Sequence, residues 1–339
     1  GFDDEGELGE LRVKKTKQIL NRTDCAVLVT DCTLPLGDCE KQLISIFKEK
    51  NIPFIIAKNK ADLLTDIPKE EGAVYVSAKE KTGIEELKNV VAKLTETDTM
   101  TMKLVGDLIK PDDMVVLVTP IDSAAPKGRL ILPQQQAIRD VLEANACAVV
   151  VRETELSGVL GRIEKPALVI TDSQAFARVS KDTPEDILLT SFSILMARYK
   201  GFLDAAVKGV KAIDDLKDGD KVLISEGCTH HRQCGDIGSV KLPNWLKEYT
   251  GKNLEIVLSS GHGFPEELSD FALCIHCGGC MLGSKELTYR MKCADDAGVP
   301  FTNYGIAIAY MKGILKRSIE VFPHLVKELE DHNGGQRTY

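Results

Sequence analysis

No stretch of the 339 residues approaches the roughly 18 consecutive apolar positions of a membrane-crossing helix, which excludes a transmembrane reading. The opening residues, GFDDEGELGE, are acidic and lack an apolar h-region, so no secretory signal is expected. Positive charge is scarce too: 43 Lys and Arg stand against 51 Asp and Glu, for a net charge of −8. Non-specific nucleic-acid binding rests on Lys and Arg neutralising phosphates, so no nucleic-acid partner is expected. Nucleotide binding needs only a few backbone N–H groups and survives that deficit. Repeats of fixed period are missing, as are low-complexity tracts beyond the tail HNGGQRTY.

What is present is a globular composition, 43% hydrophobic and 28% charged, in a chain long enough for two or three domains. Ten cysteines in an acidic chain without a signal point to the reducing cytoplasm, where clustered thiols read as metal ligands or redox groups. Four stand alone, at Cys25, Cys32, Cys39 and Cys147, and six fall between Cys228 and Cys293. That concentration locates the chemistry.

Apolar strands alternate with amphipathic helices along the whole chain. Strands are predicted at 25–31, 52–59 and 73–78, followed by a helix opened by a Thr82/Glu85 capping box. A polar stretch at 95–101 marks a boundary. The second stretch has strands at 114–120, 147–153 and 166–172 and a helix at 133–145, with no cysteine cluster and no Gly-rich loop. It reads as a packing or self-association module, and a homodimer is expected. The third has strands at 221–226, 254–260 and 271–276, whose C-terminal ends carry Cys228, Gly261-His262-Gly263 and Cys277-Gly278-Gly279-Cys280. Strands apolar throughout imply parallel sheets covered on both faces, and ligands of such sheets bind outside the strands' C-terminal ends. The expected fold is therefore α/β, three consecutive domains with mostly parallel sheets, at 1–97, 98–199 and 200–339.

Asn59-Lys60-Ala61-Asp62 closes one of the first strands, where a guanine-reading NKxD motif belongs. Asp62 can accept from the N1–H and 2-amino group of guanine, a donor pair that adenine does not offer. The stem of Lys60 can lie across the base, and Asn59 can tie neighbouring loops together. Ser77-Ala78-Lys79 resembles the second guanine loop, with the Ala78 N–H meeting the base O6. Hydrolysis needs in addition a phosphate loop G-x-x-x-x-G-K followed by Ser or Thr, whose amides cradle the phosphates and whose side chains serve charge and Mg²⁺. That string does not occur in the sequence. The opening GFDDEGELG looks like the segment after a switch DxxG, which places the expected phosphate loop upstream of Gly1. The chain as it stands is expected to keep base-contact residues without hydrolysing GTP.

The strongest constellation is Cys228-Thr229-His230 with His276-Cys277-Gly278-Gly279-Cys280. Two thiolates of a CxxC wrap one metal around a tight turn, and the remote CxH distinguishes this set from a thioredoxin-like redox pair. Three thiolates suit an iron–sulfur cluster. With one histidine added they equally suit a tetrahedral zinc site. Cys274 would complete a ferredoxin-like run, although inside FALCI it also reads as a small buried hydrophobe. His262 is a candidate neighbour of the site, and His230, His276 and Asp236 are candidate exchangeable fourth ligands.

A guanine-binding half joined to CxH…HCxxC in a terminal α/β domain resembles the HydF family of [FeFe]-hydrogenase maturases, and the resemblance extends over essentially the whole chain. It implies a GTPase domain binding GTP with Mg, a dimerisation domain, and a domain holding a [4Fe–4S] cluster on Cys228, Cys277 and Cys280. It also implies a scaffold or carrier role, receiving a transient di-iron precursor and delivering it to apo-[FeFe]-hydrogenase alongside the radical-SAM maturases of the same pathway. An iron corner without a thiolate is where an incoming precursor could attach.

Overall fold

A computed structural model describes residues 19–95, 102–121, 130–227, 236–261 and 263–331. The chain divides into two compact units, residues 1–101 and 102–339.

In the first unit, β1 (Ala26–Asp31), β2 (Phe54–Asn59) and β3 (Ala73–Tyr75) form a parallel sheet in that order. Two small apolar clusters support it, one around Leu28, Phe47 and Ile52 and the other around Ile55, Ala57 and Val74. Parallel pairing demands crossovers, and the amphipathic helix Asp38–Glu49 supplies the one between β1 and β2. The helix after β3 begins at Ile84, one residue beyond Gly83, whose φ is +72°. The expected capping box is not what opens it. Thr82 instead exchanges two backbone hydrogen bonds with Ser77, of 3.0 and 3.2 Å, closing the Ser77–Lys81 loop on itself.

The second unit contains two four-stranded parallel sheets. One runs β5 (Cys147–Val151), β4 (Met114–Val118), β6 (Leu168–Thr171), β7 (Leu188–Ser191). The other runs β11 (Phe301–Asn303), β10 (Phe271–His276), β8 (Lys221–Glu226), β9 (Glu255–Ser260). Central strands covered on both faces read as unbroken apolar runs, as Val115–Val118 and Val222–Ile224 do at full burial. Each such side chain removed from water contributes about 1.5–3 kcal/mol. Both sheets feed one contiguous core that joins Leu117 and Ile170 to Leu223, Ile275 and Ile306. The three sheets are thus three successive α/β domains, and the last two share an interior. β7, inside a stretch read from sequence as helical, was missed because its four residues LLTS are flanked by helix formers.

Candidate functional site

In the first unit the loops at residues 59–62 and 77–79 are bound to one another. Asn59 ends β2, and its Oδ1 accepts the Ala78 N–H at 3.0 Å. Ser77 donates to Asp62 Oδ1 at 2.5 Å, which holds that carboxyl below its ordinary range, with Lys79 and Lys60 adding to the effect. Lys60 adopts a left-handed backbone at φ +67°, and its Nζ lies 2.6 Å from Asp31 Oδ2. That contact and two hydrogen bonds from Thr33 pull the Asp31 carboxyl down to about 2. Lys79 is exposed beside Glu80. The Ala78 N–H, assigned from sequence to a base oxygen, is here taken by Asn59. Asp31 was not singled out, although an acid closing the preceding strand was the visible signal.

In the second unit β8 and β10 lie side by side, so their C-terminal ends meet. Gly227, immediately after β8, donates its N–H to Cys277 Sγ at 3.1 Å across 50 positions of sequence. The Gly279 N–H approaches the same sulfur at 3.4 Å. Gly279 sits at φ +63°, the left-handed region that lets the loop turn back on Cys277, and a Cβ there would lie 2.4 Å from Leu287 Cδ1. Cys277 and Cys280 are both partly exposed. Cys228, His230 and His262 lie outside the described residues. Among the described residues no three His, Cys, Asp or Glu side chains form a metal cage. Two backbone amides are thus aimed at one partly exposed cysteine sulfur, and thiolates are the group that holds iron–sulfur clusters.

The remaining candidates are placed differently. His276 is fully buried, and its Nε2 faces Arg290 Nη1 at 3.0 Å while Nδ1 faces the Cys277 carbonyl at 2.8 Å. A guanidinium only donates, so Nε2 accepts and the proton sits on Nδ1. Burial, opposed by the Cys277 contact and reinforced by Arg290, brings His276 down to about 4. Both ring nitrogens are thus committed, which removes His276 from the pool of ready metal ligands in this arrangement. Cys274 is buried in the core and its thiol is pushed strongly up by desolvation, as the hydrophobe reading anticipated. Asp236 caps Ile237–Lys241 by accepting from the Ser239 N–H and hydroxyl, each at 2.8 Å.

Two cations were missed. Arg290, on the helix Ser284–Asp296, is fully buried and joins three strand ends: His276, the Gly261 carbonyl at 2.5 Å, and Ser225 Oγ at 3.5 Å. Its partner Glu286, four residues earlier at 3.0 Å, makes the pair look like an ordinary surface i,i+4 pair in sequence. Lys200, which directly follows the helix Phe192–Tyr199 at the boundary of the second and third stretches, donates to the Leu282 carbonyl at 2.7 Å. Burial lowers its ammonium, and the nearby Cys280 thiol opposes that shift.

Fold and site define a class: a parallel α/β protein whose first domain carries linked loops at residues 59–62 and 77–79 and whose second and third share a core beneath a CxxC loop. Family models bear on the particular case. One, the hydrogen maturase F dimerization domain, matches residues 104–201, and another, the hydrogen maturase F tetramerization domain, matches residues 204–321. Together they cover well over half of the chain, which belongs to the hydrogen maturase F family. The chain is also 32% identical over 83 residues to the tRNA modification GTPase MnmE of Coxiella burnetii (strain RSA 493 / Nine Mile phase I), covering 23% of this chain and 18% of that protein. To the protein of the same name from Thermoanaerobacter sp. (strain X514) it is 31% identical over 126 residues, 34% of this chain and 25% of the relative. The chain therefore spans a quarter or less of the length of these relatives.

Proposed function

We propose that this chain is a guanine-nucleotide-linked scaffold that holds a [4Fe–4S] cluster on Cys228, Cys277 and Cys280. In this reading it carries a di-iron precursor to apo-[FeFe]-hydrogenase, in company with the radical-SAM maturases. Family membership supports the maturation role. The observation that carries the cluster reading is the Gly227 N–H on Cys277 Sγ at 3.1 Å, because Gly227 directly precedes Cys228. Three thiolates bind three iron corners, and the fourth is left to an exchangeable ligand such as His230 or Asp236. The cluster would supply an open iron for the precursor. The chain's own residues orient the loop: Gly227 and Gly279 donate to Cys277, and His276 clamps its carbonyl.

Asn59, Lys60, Asp62, Ser77, Ala78 and Lys79 are proposed to read guanine, with Asn59 releasing the Ala78 N–H as the base enters. Lacking a G-x-x-x-x-G-K string, residues 1–339 are proposed not to hydrolyse GTP with Mg by themselves. The domains are taken as 1–97, 98–199 and 200–339, and a homodimer in the reducing cytoplasm is the proposed working state. None of the helices in the described residues is long and apolar enough to cross a membrane.

Anaerobic reconstitution followed by iron, sulfide and zinc analysis tests the proposal. Brown protein with iron and sulfide, lost in Cys228→Ser, Cys277→Ser and Cys280→Ser alike, is the expected result. Colourless protein with stoichiometric zinc would refute it.

A further inference from the structure

Lys200 follows the helix Phe192–Tyr199, part of the second sheet's half, yet its ammonium rests on the cysteine loop of the third. The Leu282 carbonyl takes one of its three N–H donors, at 2.7 Å, and Cys280 is near enough to act on its charge. Ser193, in the first turn of the same helix, lies under the same loop. Its Oγ is 3.7 Å from where a Cβ on Gly278 would sit, and 2.7 Å from the corresponding point on Gly305. That hydroxyl is enclosed and has no hydrogen-bond partner among the described residues. Ser173 Oγ, just past β6 and 2.9 Å from the same point on Gly305, is enclosed and unpartnered in the same sense. Donors that follow β7 therefore reach the Cys277–Cys280 turn and the Leu282 carbonyl beside it, while Ser173 lies beside Gly305 at the next strand end.

The reduction potential of an iron–sulfur cluster is set by net charge, hydrogen bonds to its sulfurs and exposure to solvent. A nearby cation favours the reduced, more negative state and raises the potential. We propose that Lys200 and Ser193 are positioning residues that form a polar wall of the cluster site and set the cluster's reduction potential. Through Ser193 the second domain, and through Lys200 the junction to the third, thereby act on the metal chemistry. The inference rests on the cluster reading under Proposed function.

The test uses the full chain, reconstituted anaerobically, with iron and sulfide measured before a potentiometric titration followed by electron paramagnetic resonance. Lys200→Gln keeps an N–H for the Leu282 carbonyl but removes the charge. Its midpoint is expected to move to more negative potential, with Lys200→Arg restoring it and Ser193→Ala shifting it less in the same direction. Lys200→Met, lacking charge and donor, should match Lys200→Gln. Wild-type chain that takes up no cluster refutes the cluster reading itself. Normal cluster content with a wild-type midpoint in Lys200→Gln reduces Lys200 to a loop anchor and overturns this inference alone.

Discussion

Arg290 Nη1 donates to His276 Nε2 at 3.0 Å in a site where neither side chain is exposed to solvent. A permanently charged donor on one ring nitrogen forces the proton to the other, where it holds the carbonyl of a proposed cluster cysteine at 2.8 Å. The arginine thus sets the tautomer, and the tautomer sets the loop.

This pairing has a pH signature. His276 titrates at about 4 in the folded chain against an ordinary 6.5, because burial opposes its charging. Above 6.5 both folded and unfolded states hold it neutral, so its contribution is fully present. Between 6.5 and about 4 the unfolded state binds the extra proton, and stability falls with pH by on the order of 3 kcal/mol in total. Denaturant unfolding of wild type and His276→Gln across this range should show the slope in the first and a flatter curve in the second. Parallel curves would show that His276 is not the group responsible.

Replacing Arg290 by Met should destabilise the second unit by about 3 kcal/mol, because the Gly261 carbonyl and His276 Nε2 lose their buried donor. Equilibrium unfolding measures it. A loss below about 1 kcal/mol, the level of an exposed pair, would contradict the burial.

The two glycines of the CxxC turn should respond differently. Gly279→Ala places a Cβ against Leu287 in a left-handed backbone and should cost about 1–3 kcal/mol, with loss of cluster uptake. Gly278→Ala meets nothing closer than Ser193 Oγ at 3.7 Å and should keep both stability and uptake. Thermal melts with iron analysis compare the two directly.

Asp62→Ala should weaken guanine-nucleotide binding by about 10- to 100-fold while leaving weak adenine binding unchanged, since it deletes a charged acceptor of paired donors. Fluorescent-nucleotide titration reads this. Equal losses for both bases would assign Asp62 to holding Ser77 and its loop.

Much of this was legible in the sequence where local pattern decides it. The strands Lys221–Glu226 and Phe271–His276 were delimited correctly, because both are apolar runs ended by Gly or Cys. Their adjacency in the sheet is what brings Gly227 to Cys277. What escaped detection depends on tertiary context. Thr82 looked like a cap, but a backbone bridge to Ser77 claimed it first. Arg290 looked solvated, because its i,i+4 spacing to Glu286 carries no information about depth. Lys200 lay at a domain boundary, where no pattern tells which loop a side chain will reach. The second stretch, with a lone cysteine and no cluster, gave no hint that Ser193 would sit against the cysteine turn of the third and Ser173 beside Gly305.

The common interior of residues 102–339 has a practical corollary for anyone wishing to isolate the cysteine-bearing portion. Severing the polypeptide near Lys200 would strip neighbours from Phe202, Leu203 and Ile306, side chains that never meet water in the intact chain. Such a fragment would come out sticky and prone to clump, whereas a cut near Thr101 respects the natural division of the molecule.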